Sequence, residues 1–196
     1  ASDASLVVDL APPHDGNGAT MTFTNVADVT VNAVNGITDN AGVAMLVDLD
    51  DTTLAAGVAS DAVRSLTINN NGVATNGTDD IILGDVANSS LLETLALNAT
   101  GSAVTLGTVA EAEALTTLTI NSDGGEVNVG AIGGTDASTA LDAITVTATE
   151  DVALGAVAVN NTAGVSTVTL AAADGDITGL ALTNDAGSID AVTLSG

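Results

Sequence analysis

A chain of 196 residues with 20 Asp, 5 Glu, one Arg, one His and no Lys carries a formal net charge of -24. That charge excludes nucleic acid and anionic membrane surfaces, which need a basic partner face, and it favours cations and high solubility. Cysteine is absent, Phe23 is the only aromatic residue, and no apolar run approaches the ~18 residues of a membrane span, so disulfides, thiolate sites and membrane insertion are excluded as well.

Residues 1–62 read as irregular. His14 lies beside the only two prolines, in Ala11-Pro-Pro-His-Asp-Gly16, which reads as an entry loop. Val26-Ala-Asp-Val29-Thr-Val31 and Ala44-Met-Leu-Val47-Asp-Leu49 share the form apolar-x-x-apolar-x-apolar. The steps from Val29 to Val47 and from Val47 to Leu66 are only 18 and 19 residues. No signal peptide opens the chain, and Ala1-Ser-Asp3 and Leu194-Ser-Gly196 both fall inside the pattern. The chain therefore reads as a segment of a longer protein.

From residue 63 to 196 the same phrase recurs six times. Its central residues are Leu66, Leu95, Leu118, Ile144, Val168 and Val192, at steps of 29, 23, 26, 24 and 24 residues. Offset by half a period is a second phrase, apolar-Gly-x-apolar. It occurs at Leu83-Gly-Asp-Val86, Leu106-Gly-Thr-Val109, Val129-Gly-Ala-Ile132 and Leu154-Gly-Ala-Val157, with a degenerate copy at Ile177-Thr-Gly-Leu180. Two alternating phrases predict two short strands per rung. Turns rich in Asn, Asp, Gly and Ser separate them, as in Asn121-Ser-Asp-Gly-Gly125 and Ala173-Asp-Gly-Asp176. The long step after Leu66 predicts an insertion around 73–78, and Val109-Ala-Glu-Ala-Glu-Ala-Leu115 predicts a single helical turn.

A fixed period of ~24 residues means stacked units, each burying its apolar face only against its neighbours. The expected fold is all-β: one continuous domain, a parallel β-solenoid of roughly eight rungs, ~40 Å long at about 4.8 Å per rung. The six central residues should stack in one inward column. A hairpin meander would not repeat one phrase in register.

Two features are candidate sites. Asp80, Glu126, Asp151 and Asp176 each precede a second-phrase strand, with Ala103 in the intervening place. Stacked carboxylates repel, and a hard cation with oxygen ligands removes that repulsion. Asp80, Glu126, Asp151, Asp174 and Asp176 are thus the candidate ligands of a Ca2+ ion, with Asp79, Asp123 and Glu150 as neighbours. The alternative is that the carboxylates simply splay into water. Asp48, Asp50 and Asp51 form a weaker second cluster. The other feature is an outward file of Thr67, Ala96, Thr119, Thr145, Thr169 and Thr193, flanked by Asn69, Asn98, Asn121, Thr147, Ala171 and Ser195. Flat threonine arrays suit an adhesin or ice-binding face, and threonine is also an ordinary solvent-facing strand residue.

Enzymatic readings find little to build on. One His in a proline loop, Arg64 as the sole strong cation, no Cys and no Lys leave few bases or activated nucleophiles. No Gly-rich run is followed by the Lys and helix of a phosphate loop.

Leu115-Thr-Thr-Leu-Thr-Ile-Asn121, Val104-Thr-Leu-Gly107 and the Ala/Val/Thr/Asn/Asp/Gly bias resemble the β-solenoid segments of bacterial surface-layer proteins and large secreted adhesins, especially those exported by type I secretion. The resemblance covers residues 63–196 and, more loosely, 1–62. It implies a Ca2+-dependent, extracellular structural protein at the cell surface that associates with itself or with neighbouring domains of the same chain. The Gly-Gly-x-Gly-x-Asp nonapeptides of that group are absent, so no nonapeptide site carries over. Leu-x-x-Leu-x-Leu also opens a leucine-rich repeat, but the Asn/Cys position of that motif holds Asn71, Thr100, Asp123, Thr149 and Ala173.

Overall fold

In the computed structural model, residues 4–9, 20–23, 26–33, 45–48, 57–60, 63–71, 80–87, 89–110, 112–133 and 140–196 are described. They form an all-β parallel solenoid in which alternating inward residues bury and outward residues meet solvent. The first face is a sheet of β1 (Ser5–Asp9), β3 (Asp28–Ala33), β6 (Ser65–Asn70), β8 (Thr94–Thr100), β10 (Thr117–Asp123), β13 (Ala143–Ala148), β16 (Thr167–Ala172) and β19 (Val192–Ser195), in that order. The second holds β2 (Thr20–Phe23), β4 (Met45–Asp48), β5 (Gly57–Ser60), β7 (Ile81–Ala87), β9 (Val104–Leu106), β11 (Val127–Val129), β14 (Val152–Leu154) and β17 (Ile177–Thr178). A third, short face consists of β12 (Ile132–Gly133), β15 (Ala156–Val159) and β18 (Ala181–Asn184).

The first phrase stacks as its spacing demands. Leu66 pairs with Leu95, Leu95 with Leu118, Leu118 with Ile144, Ile144 with Val168, and Val168 with Val192. Every member is buried except Val192 on the edge strand, which is 47% exposed. Val29 and Leu6 extend the column below Leu66. Two residues on, Ile68, Leu97, Ile120, Val146 and Leu170 make a second dry column. Each such side chain contributes about 1.5–3 kcal/mol of burial, and no aromatic residue is needed to fill so narrow an interior.

The second phrase turns a corner. Leu83, Leu106, Val129 and Leu154 stack on the second face. Val86, Val109, Ile132 and Val157 stack in a second column past the corner, the last two on the third face. The phrase glycine sits between them, where Gly107 lies over Gly84, Gly130 over Gly107 and Gly155 over Gly130. A Cβ on Gly130 would lie 2.8 Å from the carbonyl carbon of Gly107, and one on Gly155 would lie 2.7 Å from that of Gly130. Glycine is required here by close backbone approach.

Five expectations need correction. Regular turns number about five rather than eight. These are the turns that begin at β6, β8, β10, β13 and β16. The N-terminal strands add to the sheets without continuing that winding, since β5 lies between β4 and β2 in the second sheet. The last three of these turns carry three strands, because the glycine corner splits the second phrase over two faces. Ala44–Leu49 does not join the first-face column: its β4 pairs with β5 and β7 in the second sheet. Ile177 stands opposite Val152, two residues from the Leu154 that its apolar place in the phrase suggests, and Leu182 rather than Leu180 meets Val157. The expected helical turn before Leu115 is a tight turn, closed by the Leu115 N–H donating to the Ala112 carbonyl at 3.1 Å. The 73–78 insertion, His14 and the prolines lie outside the described residues.

Candidate cation column and outward face

The backbone brings the acidic positions into one column. The N–H of Ile81 donates to the Ala103 carbonyl at 3.1 Å, and Val104 to Glu126 at 3.0 Å. Val127 donates to Asp151 at 2.8 Å, and Val152 to Asp176 at 2.9 Å. Asp80, Ala103, Glu126, Asp151 and Asp176 are therefore successive neighbours, as their spacing predicts.

Their side chains part company. The Asp80 carboxylate accepts the Ala103 N–H at 2.9 Å, and Asp151 accepts the Asp176 N–H at 2.8 Å. Glu126 turns along its own strand to the Asn128 amide at 2.8 Å. Asp174 lies exposed in the turn before β17, where its N–H donates to the Thr149 carbonyl at 2.8 Å. Asp123 and Glu150 are exposed too. Among the described residues, no three Asp, Glu or His side chains gather closely enough to hold a metal ion. Asp50, Asp51 and Asp79 lie outside the described residues, and of Asp48 only the backbone is described.

What the carboxylates do instead is clip one turn to the next. Asp85 accepts the Thr108 N–H at 2.7 Å, and Asp142 accepts the Ser166 N–H at 3.1 Å as well as its hydroxyl. With Asp80 and Asp151 these are four charge-assisted bonds from a carboxylate to a backbone N–H 23 to 25 residues further on. Each satisfies a corner amide that has no strand partner. Composition hinted at this role only by placing the acids next to strands. The one arginine is occupied as well: Arg64 meets Glu93 at 2.7 Å, with both side chains about half exposed, a geometry worth a few tenths of a kcal/mol.

The outward side of the first face is more ordered. Thr119, Thr145, Thr169 and Thr193 occupy successive strands in one column. The parallel column holds Asp9, Asn32, Asn69, Asn98 and Asn121, and its side chains form a ladder. Asn121 donates to the Asn98 carbonyl oxygen, Asn98 to Asn69 and Asn69 to Asn32, each at 2.9 Å. Asn32 donates to the Asp9 carboxylate at 2.8 Å. Every amide points the same way, so the chain of dipoles reinforces itself and ends on a negative charge. Asn69, Asn98 and Asn121 share a phrase position in the sequence, but the ladder itself and its extension to Asn32 and Asp9 follow only from the register.

Inside the adjoining corner, the buried Asn70 donates to the Ser102 hydroxyl at 2.9 Å, and Ser122 donates to the Ser102 carbonyl at 2.7 Å. A shallow groove of about 380 Å³ follows the glycine corner, bordered by Thr105, Asn128, Ala153, Gly130, Gly155 and Gly179. It contains no titratable side chain. Compared with known proteins, the chain matches no family model, no characterised protein and no solved structure.

Proposed function

We propose that this chain is a structural building block of an extracellular bacterial assembly, a surface layer or fibre, without catalytic activity. The observation that carries the reading is the in-register column running from Leu6 to Val192, bounded by two parallel edge strands. β1 exposes Leu6 and Val7, and β19 exposes Val192 and Leu194, and among the described residues no strand pairs with the outer side of either. Such edges are templates for a further strand, from neighbouring turns of a longer chain or from another copy. The acidic, lysine-free and cysteine-free composition supports a place at the cell surface. Electron microscopy of the purified segment at high concentration tests the reading. Rods several times longer than the ~34 Å spanned by eight stacked strands are expected. A strict monomer at millimolar concentration would overturn it.

Stabilisation by Ca2+ is a separable part of the proposal, supported by the stacking of the Glu126, Asp151 and Asp176 positions, while Arg64, the one Lys or Arg of the chain, is held by Glu93. Millimolar Ca2+ is expected to raise the melting temperature by linkage, and a chelator to reverse the rise. The double variant Asp151→Asn, Asp176→Asn keeps an acceptor oxygen for the Asp176 N–H while removing both charges. Most of the Ca2+ effect should vanish in it. Calorimetry that finds no binding, with a melting temperature indifferent to chelator, removes the ion and leaves the coil.

A further inference from the structure

We propose that the outward side of the first face is a lateral docking surface for a second copy of this chain. The proposal rests on the building-block reading and adds a sideways contact to the axial one.

The first observation is where charge is missing. The chain carries -24, yet the three central outward columns hold only Ser, Thr, Asn and Ala from Ser65 on β6 to Ser195 on β19. The carboxylates lie outside this patch, with Asp28 and Asp9 on β3 and β1 beyond its first strand, Glu93, Asp142 and Asp190 at one corner and Asp123 at the other. Two molecules so acidic can touch only where neither presents a charge, and this face provides such a place. At physiological salt the Debye length is ~8 Å, so the flanking charges are largely screened while the face stays in contact range.

The second observation is size. Six strands at about 4.8 Å, by five residues at about 3.3 Å, give a footprint of about 500 Å² per copy and about 1,000 Å² for a pair. That reaches the lower bound for a specific interface. Parallel sheets are also ordinarily covered on both sides, and among the described residues this one is covered by its own chain on one side only.

The third observation is preorganisation. The Asn ladder fixes its amides, and threonine, serine and alanine have little rotamer freedom to lose, so the ordering cost of association is small. Chemistry selects the partner. The face has no aromatic, Met or Arg anchor for an unrelated protein, and no base for an anionic polymer. A second copy presents rows of the same period. A two-fold axis lying in the plane of the contact lays row against row and closes the pair, with residue i meeting j and j meeting i.

The test combines sedimentation equilibrium with electron microscopy, on the native chain and on the double variant Thr119→Asp, Thr169→Asp. Both substitutions lie on the outward column in alternate turns, and an unchanged circular-dichroism melt confirms that the variant folds. The native chain is expected to form a concentration-dependent dimer and paired rods. The variant should bind itself at least about tenfold more weakly, because each copy then buries unpaired charge. Rods of single width with no dimer would overturn the lateral contact and leave the building-block reading standing. Dimers that never elongate would do the reverse. Dimers unaffected by the variant would place the contact elsewhere and overturn the proposal, and a strict monomer would overturn both readings. A monomer that shapes growing ice crystals would overturn it in favour of ordered water as the occupant.

Discussion

Leu118→Asp is expected to unfold the coil. Leu118 is fully buried, with Leu95 below it and Ile144 above it at the strand register. Aspartate there gives up about 2–3 kcal/mol of burial and leaves a carboxylate with no cation in reach, inside a column made only of hydrocarbon. The combined loss, above about 4 kcal/mol, is a large part of what holds a domain of this size together. The neighbouring change Thr119→Asp lands on the outward side and should shift the thermal midpoint only slightly. Far-UV circular dichroism melts on the two variants decide the matter. Equal effects would mean that the inward and outward assignments are wrong.

Gly130→Ala is expected to cost about 3 kcal/mol, although it adds a single methyl group. The new Cβ would stand 2.8 Å from both the carbonyl carbon and the oxygen of Gly107, and 3.0 Å from the Thr108 nitrogen. All three are backbone atoms of the corner, where the Gly107 N–H is held by the Leu83 carbonyl and the Thr108 N–H by the Asp85 carboxylate, so no side chain can rotate out of the way. The turn cannot rise to make room, because Gly155 already lies against Gly130 with the same tightness. A urea titration should show a lower midpoint for Gly130→Ala and an unchanged one for Ala131→Ser, whose side chain is exposed next door. A midpoint shift of the same size in both would show that the glycine column is tolerant and that the corner is held by something else.

How far the sequence disclosed this arrangement depended on how much apolar surface each element carries. The column from Leu66 to Val192 was legible because Leu, Ile and Val recur at a fixed offset, and a one-residue slip would turn them all to water. The third face was not, since β12 is an Ile-Gly pair and β15 is an Ala/Val run without a contrasting polar neighbour. β1 escaped notice because Asp3 stands where the phrase expects an apolar residue, although Leu6 lies 23 residues before Val29. Ala44–Leu49 misled for the opposite reason: its pattern matches the phrase, but the pattern alone does not say which sheet a short strand joins. Ile177 misled because Gly179 imitates the corner glycine, whereas in the fold Gly179 takes a positive φ of 77° with its Cβ position 2.7 Å from the Leu154 oxygen. The acidic column was located correctly along the axis. The individual hydrogen bonds of Asp80, Glu126 and Asp151 were not foreseeable, because a carboxylate reaching for a backbone N–H leaves no trace in residue type.

The unequal corners of this molecule carry a consequence for its history. Between central first-face residues the chain spends 23, 37, 29, 23, 26, 24 and 24 residues, yet the strands they belong to stay paired residue for residue. A codon gained or lost in a corner is absorbed there. The same event inside a strand would invert every side chain beyond it. Duplication or deletion of one whole turn, with its breakpoints in two corners, rejoins identical columns and leaves the core unaltered. The heritable unit of such a protein is the turn rather than the residue, and its length is free to drift by copying while its cross-section is held fixed.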